Sequence, residues 1–95
     1  MLLKHRYIQR LTDQLQHYPS VQNIRGLGLL IGIECREPIS PIIQELLQQG
    51  LLVLTAGTHV IRLAPSLLIT KEEIDQAVDL IENALESIEK KEDYS

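Results

Sequence analysis

Two features of this chain could do chemistry through residue type and spacing: three glycines at positions 26, 28 and 32 within IRGLGLLIGIEC, and a strand arginine, Arg62, in VIRLAP. A dinucleotide fingerprint needs G-x-G-x-x-G between a strand and a helix. After Gly26 and Gly28 the third glycine is due at position 31, which is Ile31. No Lys-Ser or Lys-Thr pair follows, and the next residues read as more strand, so no helix N-terminus is on hand for an anion. Nucleotide binding is disfavoured, and the glycines are read as marks of a bent or closely approached backbone.

The other reactive side chains point to structure. His5, His17 and His59 stand far apart, and none has a carboxylate or second histidine at metal-ligand spacing, so no metal site is expected. His59 reads as a turn residue without a partner for general-base work. Ser40, Ser66 and Thr70 read as caps or turns. Cys35 lies among apolar neighbours, which raise a thiol pKa and make it a poor nucleophile. A Schiff-base lysine must be desolvated beside its cofactor, whereas Lys4, Lys71, Lys90 and Lys91 fall at exposed or terminal helical positions. Arg62 remains. Framed by Ile61 and Leu63 beside a glycine-containing loop, it could offer its planar fork to a carboxylate, although taken alone it reads first as a strand arginine reaching to water.

These residues need elements to hold them. Leu3, Tyr7, Leu11 and Leu15 recur every fourth position and predict a helix over residues 3–15, ended by Tyr18, Pro19 and Ser20. No capping residue precedes Leu3, as if the helix began inside a longer one. Residues 24–35 predict one glycine-bent central strand covered on both faces, led into by Val21. Ser40 as cap and Pro41 as first residue open a second helix carrying Ile42, Ile43, Leu46 and Leu47, closed by Gly50 in the left-handed conformation. Residues 51–54 predict a short strand, residues 55–59 a loop, and residues 60–64 a strand with Val60, Arg62 and Ala64 on one face and Ile61 and Leu63 on the other. Pro65 and Ser66 stop it, and residues 67–69 make an apolar bridge. Thr70 with Glu73 forms a capping box for a last helix whose apolar residues run from Ile74 to Ile88. Its acids, Asp75, Glu82 and Glu89 among them, are placed on the solvent side. Lys90 and Lys91 suit its end, and residues 92–95 are expected to fray. The order predicts an α+β fold, a small, mainly antiparallel sheet with helices packed on one face.

Composition bounds the function. The 95 residues make one domain, residues 1–95, with a core of Leu and Ile and no Phe or Trp. The formal charge of −4 argues against a nucleic-acid partner, and no aromatic stacking platform exists for one. No apolar run is long enough for a membrane helix, and the broken, charged start is not a signal peptide. One cysteine cannot form an internal disulfide, so a cytoplasmic location is expected.

The combination IRGLGLLIGIE, then QQGLLVLTAGTHVIRLAPSLLITKEEIDQAVDLIENAL, resembles the C-terminal small domain of the class III pyridoxal-phosphate aminotransferases from Val21 to Leu85. The resemblance implies a cytoplasmic homodimer that moves an amino group between an acetylated ornithine and 2-oxoglutarate in arginine biosynthesis. It implies that the cofactor pyridoxal phosphate is held by a large domain of the same enzyme, so that this fragment alone binds none, is inactive and carries no catalytic residue. Arg62 matches the arginine of the family's V-I-R-L-x-P motif, which binds the substrate α-carboxylate. The family more often has Pro-Pro where this chain has Pro65-Ser66. Other substrates of the ornithine, succinylornithine or 4-aminobutyrate type fit the same motifs. A stand-alone α+β ligand-binding module and a purely structural interaction domain also remain open.

Overall fold

α1 (Leu2–Leu15) forms where apolar residues recur every fourth position, and its stripe buries Tyr7, Leu11 and Leu15. The computed structural model describes residues 2–93 apart from Leu52 and Leu67. The side chains of Leu27, Lys90 and Lys91, Leu67 of the expected apolar bridge, Leu52 of the expected strand, the side chains of residues 92 and 93, and residues 94 and 95 of the expected frayed tail lie outside the described residues.

Residues 24–35 depart from the expected single bent strand. β1 (Val21–Leu27) and β2 (Leu30–Cys35) are separate antiparallel strands joined by the two-residue turn Gly28 and Leu29. Gly28 has φ +64, and nothing lies within 4 Å of where its Cβ would stand. It supplies a backbone conformation and accommodates no close approach. Positive φ at the first turn residue alone is the type II′ pattern, whose twist suits the flanking strands. Leu29 at the tip is 80% exposed, so the segment is not covered on both faces throughout. The apolar pattern hides the turn because its one turn-forming residue is flanked by leucines, without the polar residues that usually mark a hairpin.

The remaining elements are α2 (Ser40–Gln48), β3 (Leu54–Ala56), β4 (Val60–Leu63) and α3 (Lys71–Asp93). The sheet has four antiparallel strands in the order β1-β2-β4-β3, so β2 is central as expected and β1 is an edge. β3 begins at the last residue of its expected range. Gly57, at φ +71, turns the chain over residues 57–59, and this register draws Thr55 and Ala56 into the ladder opposite Ile61 and Val60.

Period-two alternation then sorts the side chains. Ile31, Ile33 and Cys35 of β2 and Ile61 and Leu63 of β4 point inward, into one core with Leu11, Leu15, Leu46, Ile74, Val78, Ile81 and Leu85. All three helices contribute to that core, and the opposite face of the sheet is open. The fold is α+β, as the sequence order predicts.

Ser40 is not the cap of α2: Ile39 occupies that position, no side chain caps it, and Pro41 follows in the first turn, where no helical N–H partner is needed. Gly50, at φ +87, closes α2 with Leu51 N–H donating to Leu46 O at 3.0 Å and Gly50 N–H to Leu47 O at 3.1 Å, the Schellman pairing. The capping box of α3 is complete, since Thr70 N–H donates to Glu73 Oε1 at 3.0 Å and Glu73 N–H to Thr70 Oγ1 at 3.1 Å.

Three acids of α3 expected on the solvent side instead face α1 and the turn after it. Asp75 accepts from Arg10 at 3.0 Å, Glu82 from Gln14 at 2.8 Å and Tyr18 at 3.1 Å, and Glu89 from Ser20 at 2.6 Å. These acids recur every seven residues, two helical turns, so they form a polar stripe facing α1 and the turn beyond it.

Candidate functional site

The open face of the sheet carries the charged residues. Residues paired across the ladders share a face, which puts Arg25, Gly32, Arg62 and Leu54 in one row and Asn23, Glu34 and Val60 in the next. Strands lie about 4.8 Å apart, so the Arg25 and Arg62 backbones stand about 10 Å apart with Gly32 between them. Gly32 has no side chain to fill that gap.

The two arginines differ in their partners. Arg25 Nη2 lies 2.7 Å from Glu34 Oε1, a close ion pair that lacks the alignment of a hydrogen bond. Glu34 is half-buried at 27% exposure and Arg25 is mostly in solvent at 59%. Arg62 makes no hydrogen bond or ion pair among the described residues, and its Nε is buried without a partner. A buried, unpaired donor on a permanent cation is costly, and a carboxylate presenting two oxygens is the complement its fork geometry fits best.

The neighbouring reactive groups have structural roles. Burial pushes the Cys35 thiol up to about 11, in line with a core residue. His59 Nδ1 is 2.6 Å from Thr58 Oγ1, and its carbonyl accepts the Cys35 N–H at 2.8 Å, so it sits in the β3–β4 turn as expected. His17 packs against the Tyr18 ring at 4.5 Å, and His5 is exposed on α1. No three metal-ligating side chains gather among the described residues. Ser66 Oγ accepts from Leu68 N–H at 3.1 Å in the turn after β4. Lys4 donates to the Gly28 carbonyl, tying α1 to the hairpin, and Lys71 is exposed at the start of α3.

Of the sequence-derived residues, Arg62 therefore stands on the open face with its fork unused. The Arg25–Glu34 pair was missed. It becomes legible only once residues 24–35 are split into a hairpin, because both residues then alternate outward. A groove of about 340 Å³ between α1, α3 and the end of β4 is bordered by Tyr7, Leu63, Pro65, Ile69 and Leu80; its acid, Glu73, is held by the capping box.

The geometry is an open sheet face carrying one arginine without a partner among the described residues, backed by three helices. Residues 2–85 match the family described as aminotransferase class-III, and the chain belongs to that family. It is 49% identical over 78 residues to acetylornithine aminotransferase of Bacillus cereus, covering 82% of this chain and 20% of that protein. It is 54% identical over 67 residues to the Bacillus subtilis acetylornithine aminotransferase, covering 70% and 17%. Among solved structures, an ornithine aminotransferase of Plasmodium yoelii superposes with a TM-score of 0.82 at 30% identity, covering 90% of this chain and 23% of that one. A lysine aminotransferase of M. tuberculosis gives 0.82 at 27% identity, covering 92% and 21%. The chain spans about a fifth of the length of the curated relatives it matches.

Class III aminotransferases are pyridoxal-phosphate enzymes that act on amino-acid substrates. The described lysines do not fit that cofactor here. Lys4 is engaged with a backbone carbonyl at the surface and Lys71 is in water, whereas a cofactor-holding lysine must be enclosed.

Proposed function

We propose that this chain is the C-terminal small domain of an acetylornithine aminotransferase, and that Arg62 receives the α-carboxylate of the amino-acid substrate. The observation that carries the reading is the buried, unpartnered Nε of Arg62 on the one face of the sheet that no helix covers. Arg62 pairs in register with Gly32, which brings no side chain of its own to occupy the arginine's fork, and that planar fork matches a carboxylate.

In this reading the parent enzyme is a cytoplasmic homodimer of arginine biosynthesis, exchanging an amino group between N-acetylornithine and 2-oxoglutarate. Pyridoxal phosphate, which supplies the electron sink for that chemistry, is held by a large domain lying outside this chain. The small domain binds and orients substrate. N-acetylornithine is favoured as the amino donor because the curated relatives at 40–54% identity are acetylornithine aminotransferases.

The test is a chimera. This chain replaces the segment it matches in the Bacillus cereus acetylornithine aminotransferase, and glutamate formation is measured with N-acetylornithine, succinylornithine, ornithine or 4-aminobutyrate as amino donor. Turnover with N-acetylornithine above the others supports the reading. A folded, cofactor-loaded chimera that prefers another donor overturns the substrate, and one inert with every donor overturns the assignment.

A further inference from the structure

Glu34 is the one acid among the described outward-facing residues of the sheet, and it has two arginines to choose from. It stands opposite Asn23 on β1 and Val60 on β4, so Arg25 and Arg62 are both its diagonal neighbours, each two residues along its strand. Diagonal pairs on one sheet face are within reach of long side chains. Between the two arginines lies Gly32, with no side chain to keep Glu34 from either. The carboxylate is found 2.7 Å from Arg25, and Arg62 is left without a partner.

We propose that Arg25 is a positioning residue: by holding Glu34, it keeps this carboxylate from occupying the Arg62 guanidinium and so leaves that guanidinium open to a ligand carboxylate. The inference rests on the reading of Arg62 as a carboxylate receptor. Physically it is a competition. An internal carboxylate tethered within reach of Arg62 has a high effective concentration, and it would outcompete a weakly bound carboxylate in solution unless something else engages it. Arg25 is the suitable competitor because it is the more solvated of the two arginines. Pairing there costs Glu34 and Arg25 little desolvation, while Arg62 keeps a buried Nε whose unmet donor a ligand carboxylate can satisfy.

The experiment uses the 95-residue chain, with sodium acetate as the probe and the arginine Nε–Hε resonances as the readout, and backbone amide spectra to establish that each variant is folded. Wild type is expected to show an acetate-dependent shift of one arginine signal that disappears in Arg62→Ala. Arg25→Ala should weaken acetate binding about 2- to 10-fold, the range of a partly exposed ion pair, and shift the Arg62 signal before acetate is added. Arg25→Ala with Glu34→Gln should restore wild-type binding, and Arg25→Lys, which still holds Glu34, should stay within about 2-fold of wild type. Where Arg25→Ala does not fold, Arg25→Gln replaces it. An acetate response unchanged by Arg62→Ala overturns the receptor reading itself. A response lost in Arg62→Ala but unchanged in Arg25→Ala overturns only the positioning role. The same holds if Arg25→Ala weakens binding and Glu34→Gln fails to restore it, since Arg25 would then act through the fold.

Discussion

Ser20 and Glu89 meet across 69 residues of sequence: the Ser20 hydroxyl donates to Glu89 Oε2 at 2.6 Å and the Ser20 amide reaches the same oxygen at 3.3 Å. With Arg10–Asp75 and Gln14–Glu82, the contacts advance in the same direction along both elements, so α1 and α3 run parallel and share a polar edge beside their apolar core. Glu82 holds the middle, accepting from both Gln14 and Tyr18. Glu82→Ala should cost about 1–2 kcal/mol, because it strands two donors, whereas Arg6→Ala, removing a half-exposed contact at 3.7 Å, should cost under about 0.5 kcal/mol. Urea midpoints of the two variants check the order.

Gly28→Val should destabilise the chain by roughly 1 to 3 kcal/mol. The space around Gly28 is empty, so the whole cost comes from forcing a β-branched residue to φ +64. Gly28→Asn should therefore cost clearly less, since asparagine tolerates the left-handed region. Equal losses for Val and Asn in urea unfolding would mean that something other than this conformation sets the cost.

This turn also shows where the sequence was legible and where it was not. Helical periodicity found α1, α2 and α3, and period-two alternation found the faces of β4 and hence the outward direction of Arg62. Both signals come from one face of an element being dry. Residues 24–35 carry apolar side chains through a turn, so burial pattern alone could not mark the reversal at Gly28, and the pairing of Arg25 with Glu34 depends on that reversal. The acids of α3 failed for a related reason: a polar seam between two helices has the same composition as a solvated face. Residue type favours Ser40 as the cap of α2, yet the backbone places Ile39 there.

Alkaline stability follows from two tyrosines. Burial pushes Tyr7 up to about 12, and burial, the hydrogen bond to Glu82 and the charges of Glu82, Glu86 and Glu89 push Tyr18 up to about 12, from an ordinary value of 10.0. Folding thus favours the protonated phenols. Their contribution is complete below pH 10, where both states keep the proton, and falls as pH rises towards about 12, because the unfolded chain loses its protons first. Unfolding midpoints should drop across that window, and Tyr18→Phe should reduce the drop. Phenolate absorbance of the folded protein rising already near pH 10 for both residues would contradict it.

Cys35 is 3% exposed and its thiol is raised to about 11, so at pH 8 it should react with iodoacetamide only through opening of the fold. The rate should rise steeply through the urea transition. Rapid labelling in native buffer, at the rate of a free thiol, would place Cys35 at the surface.

The chain alone should have no transaminase activity. Among the described residues neither Lys4 nor Lys71 is enclosed, and in the proposed reading the cofactor is held outside this chain. Incubation with pyridoxal phosphate, N-acetylornithine and 2-oxoglutarate should give glutamate only at the free-cofactor background. Formation above that background would require a cofactor site within these residues.

Arg62→Ala separates a ligand role from a structural one. A paired guanidinium and carboxylate in a partly dry site is worth about 2 to 4 kcal/mol, which at about 1.4 kcal/mol per decade is on the order of 30- to 1000-fold in kcat/KM of the chimeric enzyme. Arg62→Lys should recover a minority of that loss, since it restores charge without the planar fork. The isolated chain should respond differently. Its Arg62 Nε is buried with no partner, so deleting the side chain removes an unsatisfied donor along with some packing, and stability should move by less than about 1 kcal/mol. Loss of kcat/KM with stability preserved is the signature of a residue whose partner arrives from solution. If Arg62→Ala instead unfolds the isolated chain and leaves kcat/KM of the chimera intact, then Arg62 supports the sheet and the carboxylate receptor must lie elsewhere.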